Sequence, residues 1–195
     1  GAAAAIKAML LSCRCLHTLD LSHNGLTAAA AFAVAAAVAH PNTSLTSLNL
    51  SWNLFRKTGV EELANAMRNN RTIVLLNISW NGAGPRGGLA LGVMLSKNAI
   101  LRTLDASQNG IDTMAAMVFA SAIRDDNRTL TDLDLSRNPL GPRGAAAIMQ
   151  ALGANTSLIS IGLQKVEASL SECDTGGRAT DQFAFDPEQP EGVYE

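Results

Sequence analysis

Apolar and polar positions along this chain repeat in a unit of 28 or 29 residues. The pattern Leu-x-x-Leu-x-Leu-x-x-Asn runs through Leu16, Leu19, Leu21 and Asn24, then through Leu45, Leu48, Leu50 and Asn53. It continues as Ile73, Leu76, Ile78, Asn81, as Leu101, Leu104, Ala106, Asn109, and as Leu130, Leu133, Leu135, Asn138. A sixth copy, Leu158, Ile161, Leu163, has Val166 where Asn stands elsewhere. The Leu-x-Leu alternation has the strand period of two, so the apolar side chains point inward and the residues between them point out. After each Asn the spacing turns helical, for example at Val60, Leu63, Ala64 and Met67, or at Met114, Met117, Val118 and Ile123. Each unit is therefore predicted as a short parallel strand followed by a helix. A partial leading unit contributes a helix from Ala2 to about Leu11.

Two asparagine columns accompany this pattern. An amide at Asn24, Asn53, Asn81, Asn109 and Asn138 can satisfy backbone groups in the turn leaving the strand, which no ladder reaches. Asn42, Asn70, Asn98, Asn127 and Asn155 fall where each helix stops, and there a left-handed backbone is expected. Cys13 takes the equivalent place in the leading unit.

These residues resemble the ribonuclease-inhibitor type of leucine-rich repeat over Gly1 to Val166. The resemblance implies an α/β solenoid, a horseshoe with parallel strands on its concave face and helices on its convex face. Residues 1–166 are expected to form the array, a partial leading unit plus six strand-bearing units with the last degenerate. Residues 167–195 are expected to form a partly irregular C-terminal extension. Strands stack about 4.8 Å apart while packed helices need about 8–10 Å, and that mismatch curves the array.

Composition changes this picture little. Hydrophobic residues make up 47% of the chain but aromatics only 4%, and abundant alanine suits closely packed helices. With 15 basic and 17 acidic residues the net charge is −2, and no basic patch stands out, so neither nucleic acid nor a membrane surface is an expected partner. No run of about 18 residues is uninterruptedly apolar. Cys13, Cys15 and Cys173 read as reduced thiols of a cytoplasmic protein.

Several motifs are absorbed by the repeat. Gly82, Gly84 and Gly87 spell the G-x-G-x-x-G of a dinucleotide loop, but the block Gly-Pro-Arg-Gly recurs at Gly141 to Gly144 in the same place of its own unit. Pro85 and Pro142 read as first-turn helix residues, and no cofactor is expected. Of the N-x-[ST] sequons at Asn42, Asn70, Asn77, Asn127 and Asn155, four are helix-end asparagines running into the next strand. His17, His23 and His40 are dispersed without ligand spacing, so no metal site is expected. Ser22, Ser51, Ser79, Ser107 and Ser136 occupy one repeat position, the mark of a structural role, and no nucleophile with a base and an orienting group is apparent. A non-catalytic chain is expected.

The outward residues of the strands map the binding face. One column reads Asp20, Asn49, Asn77, Asp105, Asp134 and Gly162, a polar and partly acidic ridge. The column just before the Asn reads His23, Trp52, Trp80, Gln108, Arg137 and Lys165. Trp52 and Trp80 are the only tryptophans, sit on adjacent units at the rim, and are expected to anchor a partner. The competing expectation is that they pack on the following loop, against Phe55 or Pro85. Asp105, Asp132, Asp134 and Arg137 are the flanking candidates, a group that a merely solvated face would also present.

Neither end reads as capped, so the chain is expected to be a piece of a longer protein. The closing Phe183 to Tyr194 segment, with Phe185, resembles one that follows the repeats in some leucine-rich-repeat proteins of cilia and flagella. The alternative is that Phe183 and Phe185 pack over the last repeat. The function expected is a protein-binding scaffold, cytoplasmic or axonemal, a monomer or a unit of a larger assembly. A GTPase-activating protein of this repeat type is the second reading, although such a protein usually has a strongly acidic tail and the tail here is only mildly acidic. A third is the sensing fragment of an innate-immune receptor. A ribonuclease inhibitor proper is disfavoured by the low Cys and Trp content.

Overall fold

A computed structural model describes residues 2–13, 15–40 and 44–166. Helices α1 (Ala2–Ser12), α2 (Ala28–Val38), α3 (Arg56–Met67), α4 (Gly84–Lys97), α5 (Thr113–Ser121) and α6 (Gly141–Leu152) alternate with three-residue strands. The strands are β1 (Thr18–Asp20), β2 (Ser47–Asn49), β3 (Leu75–Asn77), β4 (Thr103–Asp105), β5 (Asp132–Asp134) and β6 (Ser160–Gly162). They form one parallel sheet in sequence order, as the spacing predicts. The register advances by one unit per strand, so Leu19, Leu48, Leu76, Leu104, Leu133 and Ile161 form one row. The chain is thus an α/β leucine-rich-repeat solenoid. Asn42, Cys173, Phe183, Phe185 and Tyr194, and the expectations that rest on them, lie outside the described residues.

A single core runs between sheet and helices. Leu48, Leu50, Leu76, Ile78, Leu104, Ala106, Leu133 and Leu135 enter it from the strand side, and Val60, Leu63, Met67, Leu91, Met94 and Phe119 from the helices. Burying each large apolar side chain contributes about 1.5–3 kcal/mol. The helices approach through small residues. A Cβ added at Gly59 would lie 2.9 Å from Ala31 Cβ, at Gly88 2.9 Å from Ala115 Cβ, and at Gly144 2.9 Å from Ala116 Cβ. Side chains larger than hydrogen at these positions would push neighbouring helices apart.

The turn asparagines behave as expected. The Asn81 amide Nδ2 donates to the carbonyls of Leu50, Ile78 and Ser79 at 2.9, 3.1 and 3.2 Å. Asn53, Asn109 and Asn138 repeat the pattern one unit apart.

The helix-end column forms for a different reason from the one expected. Asn98 (φ −78, ψ 125) and Asn127 (φ −85, ψ 128) are extended, not left-handed. Their value lies in the amide: Asn98 Nδ2 donates to the Met67 carbonyl at 2.7 Å, while Oδ1 accepts from the backbone N–H groups of Ile100 and Leu101 at 2.8 Å each. One side chain thereby ties a helix end to the preceding unit and opens the next strand.

A second difference concerns α5. Met114 is 61% exposed, and Ala115, Ala116, Phe119 and Ala120 form the buried face in place of Met114, Met117 and Val118. They stand at the same distances beyond Asn109 as Gly59, Val60, Leu63 and Ala64 stand beyond Asn53. This unit has 29 residues, and the extra one is taken up after that face, in a π-helical turn at Ala122–Asp126 closed by the Asn127 N–H donating to the Ala122 carbonyl at 2.8 Å. The glycine-rich block is also structural. Pro85 and Pro142 lie in the first turns of α4 and α6, Gly82 and Gly84 hold φ of +66 and +60, and Gly87 lets α4 approach Val60.

Candidate functional site

After each of β1 to β5 the chain passes through a serine and one left-handed residue before the turn asparagine, and after β6 Gln164, Lys165 and Val166 take the same three places. His23, Trp52, Trp80, Gln108, Arg137 and Lys165 take φ of 57, 55, 56, 52, 58 and 50. Every member of the rim column therefore adopts a conformation that non-glycine residues rarely take. The turn enforces it: the N–H groups of His23, Trp52, Trp80 and Gln108 donate to the carbonyls of Ser51, Ser79, Ser107 and Ser136 in the next unit, at 2.9–3.2 Å.

Parallel strands place equivalent residues close to the thickness of two stacked rings, and the rim uses this. Trp52 and Trp80 stack with centroids 4.0 Å apart and planes at 14°, and His23 stacks on Trp52 at 5.1 Å and 16°. The tryptophans face each other, whereas Phe55 is fully buried in the core. Trp52 remains 45% exposed and Trp80 37%, so three rings form a continuous, partly solvated ridge.

Asp105, Asp132 and Asp134 come together on the strand face. Asp105 pairs in register with Asp134, and Asp132 sits between Thr103 and Ser160, lining an open cleft with Gln164. One oxygen of each already accepts a hydrogen bond. Asp105 Oδ1 accepts from the Ser107 N–H and hydroxyl at 3.0 and 2.7 Å, Asp134 Oδ1 from the Ser136 N–H at 2.8 Å, and Asp132 Oδ2 from the Thr131 hydroxyl at 2.7 Å. The serine column thus closes local turns, as its repetition suggests. At the far end of the same ridge, hydrogen bonds from the Ser22 hydroxyl and N–H hold the Asp20 carboxyl below the usual carboxylate range, and Asn49 Nδ2 donates to its Oδ2 at 3.0 Å. Among the described residues no cluster of His, Cys, Asp or Glu could hold a metal ion, and no helix is long and apolar enough to cross a membrane. Cys13 and Cys15 are free and exposed.

Arg137 is separated from the three aspartates. It lies on the rim with Lys165, along a cleft that also contains Gln108 and Gly82. Gln108 and Gly82 continue into a second cleft formed by Trp80, Leu54, Arg56 and Lys57. Leu54, 49% exposed, and the pair Arg56 and Lys57 were not anticipated from the pattern. A signal for Leu54 exists: it follows the turn Asn53 directly, where Gly25, Gly82, Gly110 and Pro139 follow theirs.

A family model described as "Leucine Rich repeat" matches residues 12–35, 42–64, 69–92 and 126–149. Among solved structures, one titled "Leiomodin-1 Actin-Binding Site 2 (ABS2)" superposes with a TM-score of 0.56 at 15% identity, over 83% of this chain and 76% of the other. A tropomodulin C-terminal domain from Caenorhabditis elegans superposes with a TM-score of 0.55 at 12% identity, over 84% and 83%. At such identities the likeness is one of fold. No curated protein matches the chain.

Proposed function

We propose, on the premise that this chain is a leucine-rich-repeat protein, that it is a non-catalytic scaffold holding a protein partner against the inner strand face and its rim. The observation that carries the reading is the exposed His23–Trp52–Trp80 stack. Large aromatic rings ordered in advance, and fixed by the turn ladder, offer apolar area at little further entropic cost on binding. Asp105, Asp132 and Asp134 on the strand face and Arg137 on the rim supply flanking polar contacts that select the partner. The 28- and 29-residue units, each with a full helix, support assignment to the ribonuclease-inhibitor type.

A cytoskeletal partner is the first candidate, because the leiomodin-1 structure with the same fold is titled for an actin-binding site. The ciliary reading rests on the segment from Phe183 to Tyr194, outside the described residues, and would make that cytoskeleton axonemal. The test is affinity capture from cell lysate with the intact chain and with a Trp52→Ala, Trp80→Ala double variant, beside cosedimentation of each with actin filaments. Proteins retained by the parent and lost from the folded variant support the reading. Identical retention by both removes the stack from any interface.

A further inference from the structure

The charged side chains that line the two rim clefts are all positive and flank the aromatic ridge. Arg56, Lys57, Arg137 and Lys165 are exposed, and among the described residues none of them forms an ion pair or a side-chain hydrogen bond. No acidic side chain lines either rim cleft. The strand-face aspartates differ, since each already has an oxygen occupied by a neighbouring Ser or Thr. The cleft beside Arg56 and Lys57 also has apolar lining in Trp80 and Leu54, and both clefts are open at Gly82, where an added Cβ would meet nothing within 4 Å.

We propose that the rim from Leu54 to Lys165 binds an acidic, extended segment of the partner, anchored by one apolar side chain between Trp80 and Leu54. This rests on the scaffold reading and names the chemistry of the partner at that site. Carboxylates of the segment meet Arg56 and Lys57 on one side of the anchor and Arg137 and Lys165 on the other. Asp105, Asp132 and Asp134 repel the same segment from the strand face and so fix it to the rim. A basic segment would experience the opposite field.

The experiment is selection of a phage-displayed random dodecapeptide library on the intact chain. Fluorescein-labelled synthetic copies of the enriched peptides are then titrated against the parent, Arg137→Glu/Lys165→Glu and Trp80→Ala, with circular dichroism to verify folding. Enriched peptides are expected to carry net negative charge and one aromatic or branched aliphatic residue. Their affinity should fall at least tenfold in each variant and decline with added salt in the parent. Peptides without an acidic bias, affinities unmoved by charge reversal, or no enrichment at all would overturn the proposal. Basic peptides lost on Asp105→Asn/Asp132→Asn/Asp134→Asn would overturn it too, while leaving the scaffold reading standing. Failure of that reading shows separately, as identical capture by parent and double variant.

Discussion

Replacing Asn109 by alanine tests the physical basis of the array, because this side chain reaches into two units at once. Its Oδ1 accepts from the backbone N–H groups of Asn81 and Ala83 at 3.2 and 3.3 Å, and both residues are buried. Its Nδ2 donates to the carbonyls of Ile78, Ala106 and Ser107. All three carbonyls keep another donor after the change, Ile78 the amide of Asn81, Ala106 that of Asn138 and Ser107 the backbone N–H of Trp80. The loss therefore falls mainly on two orphaned N–H groups, at about 1–3 kcal/mol each, or roughly 2–6 kcal/mol together. Asn24 occupies the same column in the first strand-bearing unit, is exposed, and among the described residues donates from Nδ2 only to the Ser22 carbonyl at 2.9 Å. Asn24→Ala should cost about 0.5–1.5 kcal/mol. Urea unfolding at 25 °C, followed by circular dichroism with the slopes compared, measures both. Equal losses for the two variants would refute the argument that inter-unit amide bonds, and not asparagine's turn preference, maintain this column.

Three further outcomes are expected. Gly92→Ala puts a Cβ 2.8 Å from Val118 Cγ1 and 3.1 Å from the Phe119 nitrogen, where α4 meets α5, and should cost about 1–3 kcal/mol by the same urea assay. Trp52→Ala/Trp80→Ala leaves the core untouched and removes a stacked pair worth about 0.5–1.5 kcal/mol, so a thermal melt should show a folded, slightly weakened protein. The Asp20 carboxyl has its folded value below 3.8, so its contribution is present above that pH and is lost as pH falls through the folded value. Thermal melts should accordingly separate Asp20→Asn from the parent at pH 6 and bring the two together as pH falls below the folded value.

Much of the fold was legible because a repeat multiplies weak signals. Leu48, Leu76, Leu104 and Leu133 report the same inward position, and three-residue strands that no single window would reveal emerge from their common spacing. The register of α5 was not legible by local periodicity, since Met114, Met117 and Val118 mimic an apolar face. The offset from the turn asparagine, carried over from α3, identifies Ala115, Ala116, Phe119 and Ala120 correctly. At the site, stacking of Trp52 on Trp80 followed from adjacency in the array. The placing of Arg137 in the rim column and of Asp105 and Asp134 in the strand column followed too, but the left-handed backbone that turns the chain at the rim residue did not. Leu54, Arg56 and Lys57 were missed for a related reason: they belong to the loop after the strand, and they meet Trp80 only across the unit boundary.

Trp52 and Trp80 are the only tryptophans in the chain, which makes the ridge individually observable. With 5-fluorotryptophan incorporated, the ¹⁹F spectrum contains two resonances, assigned by Trp52→Phe and Trp80→Phe. Titration with a partner recovered by affinity capture should shift or broaden both resonances and saturate at one partner per chain. Complex formation, verified by size-exclusion chromatography, with both resonances unmoved would contradict the account.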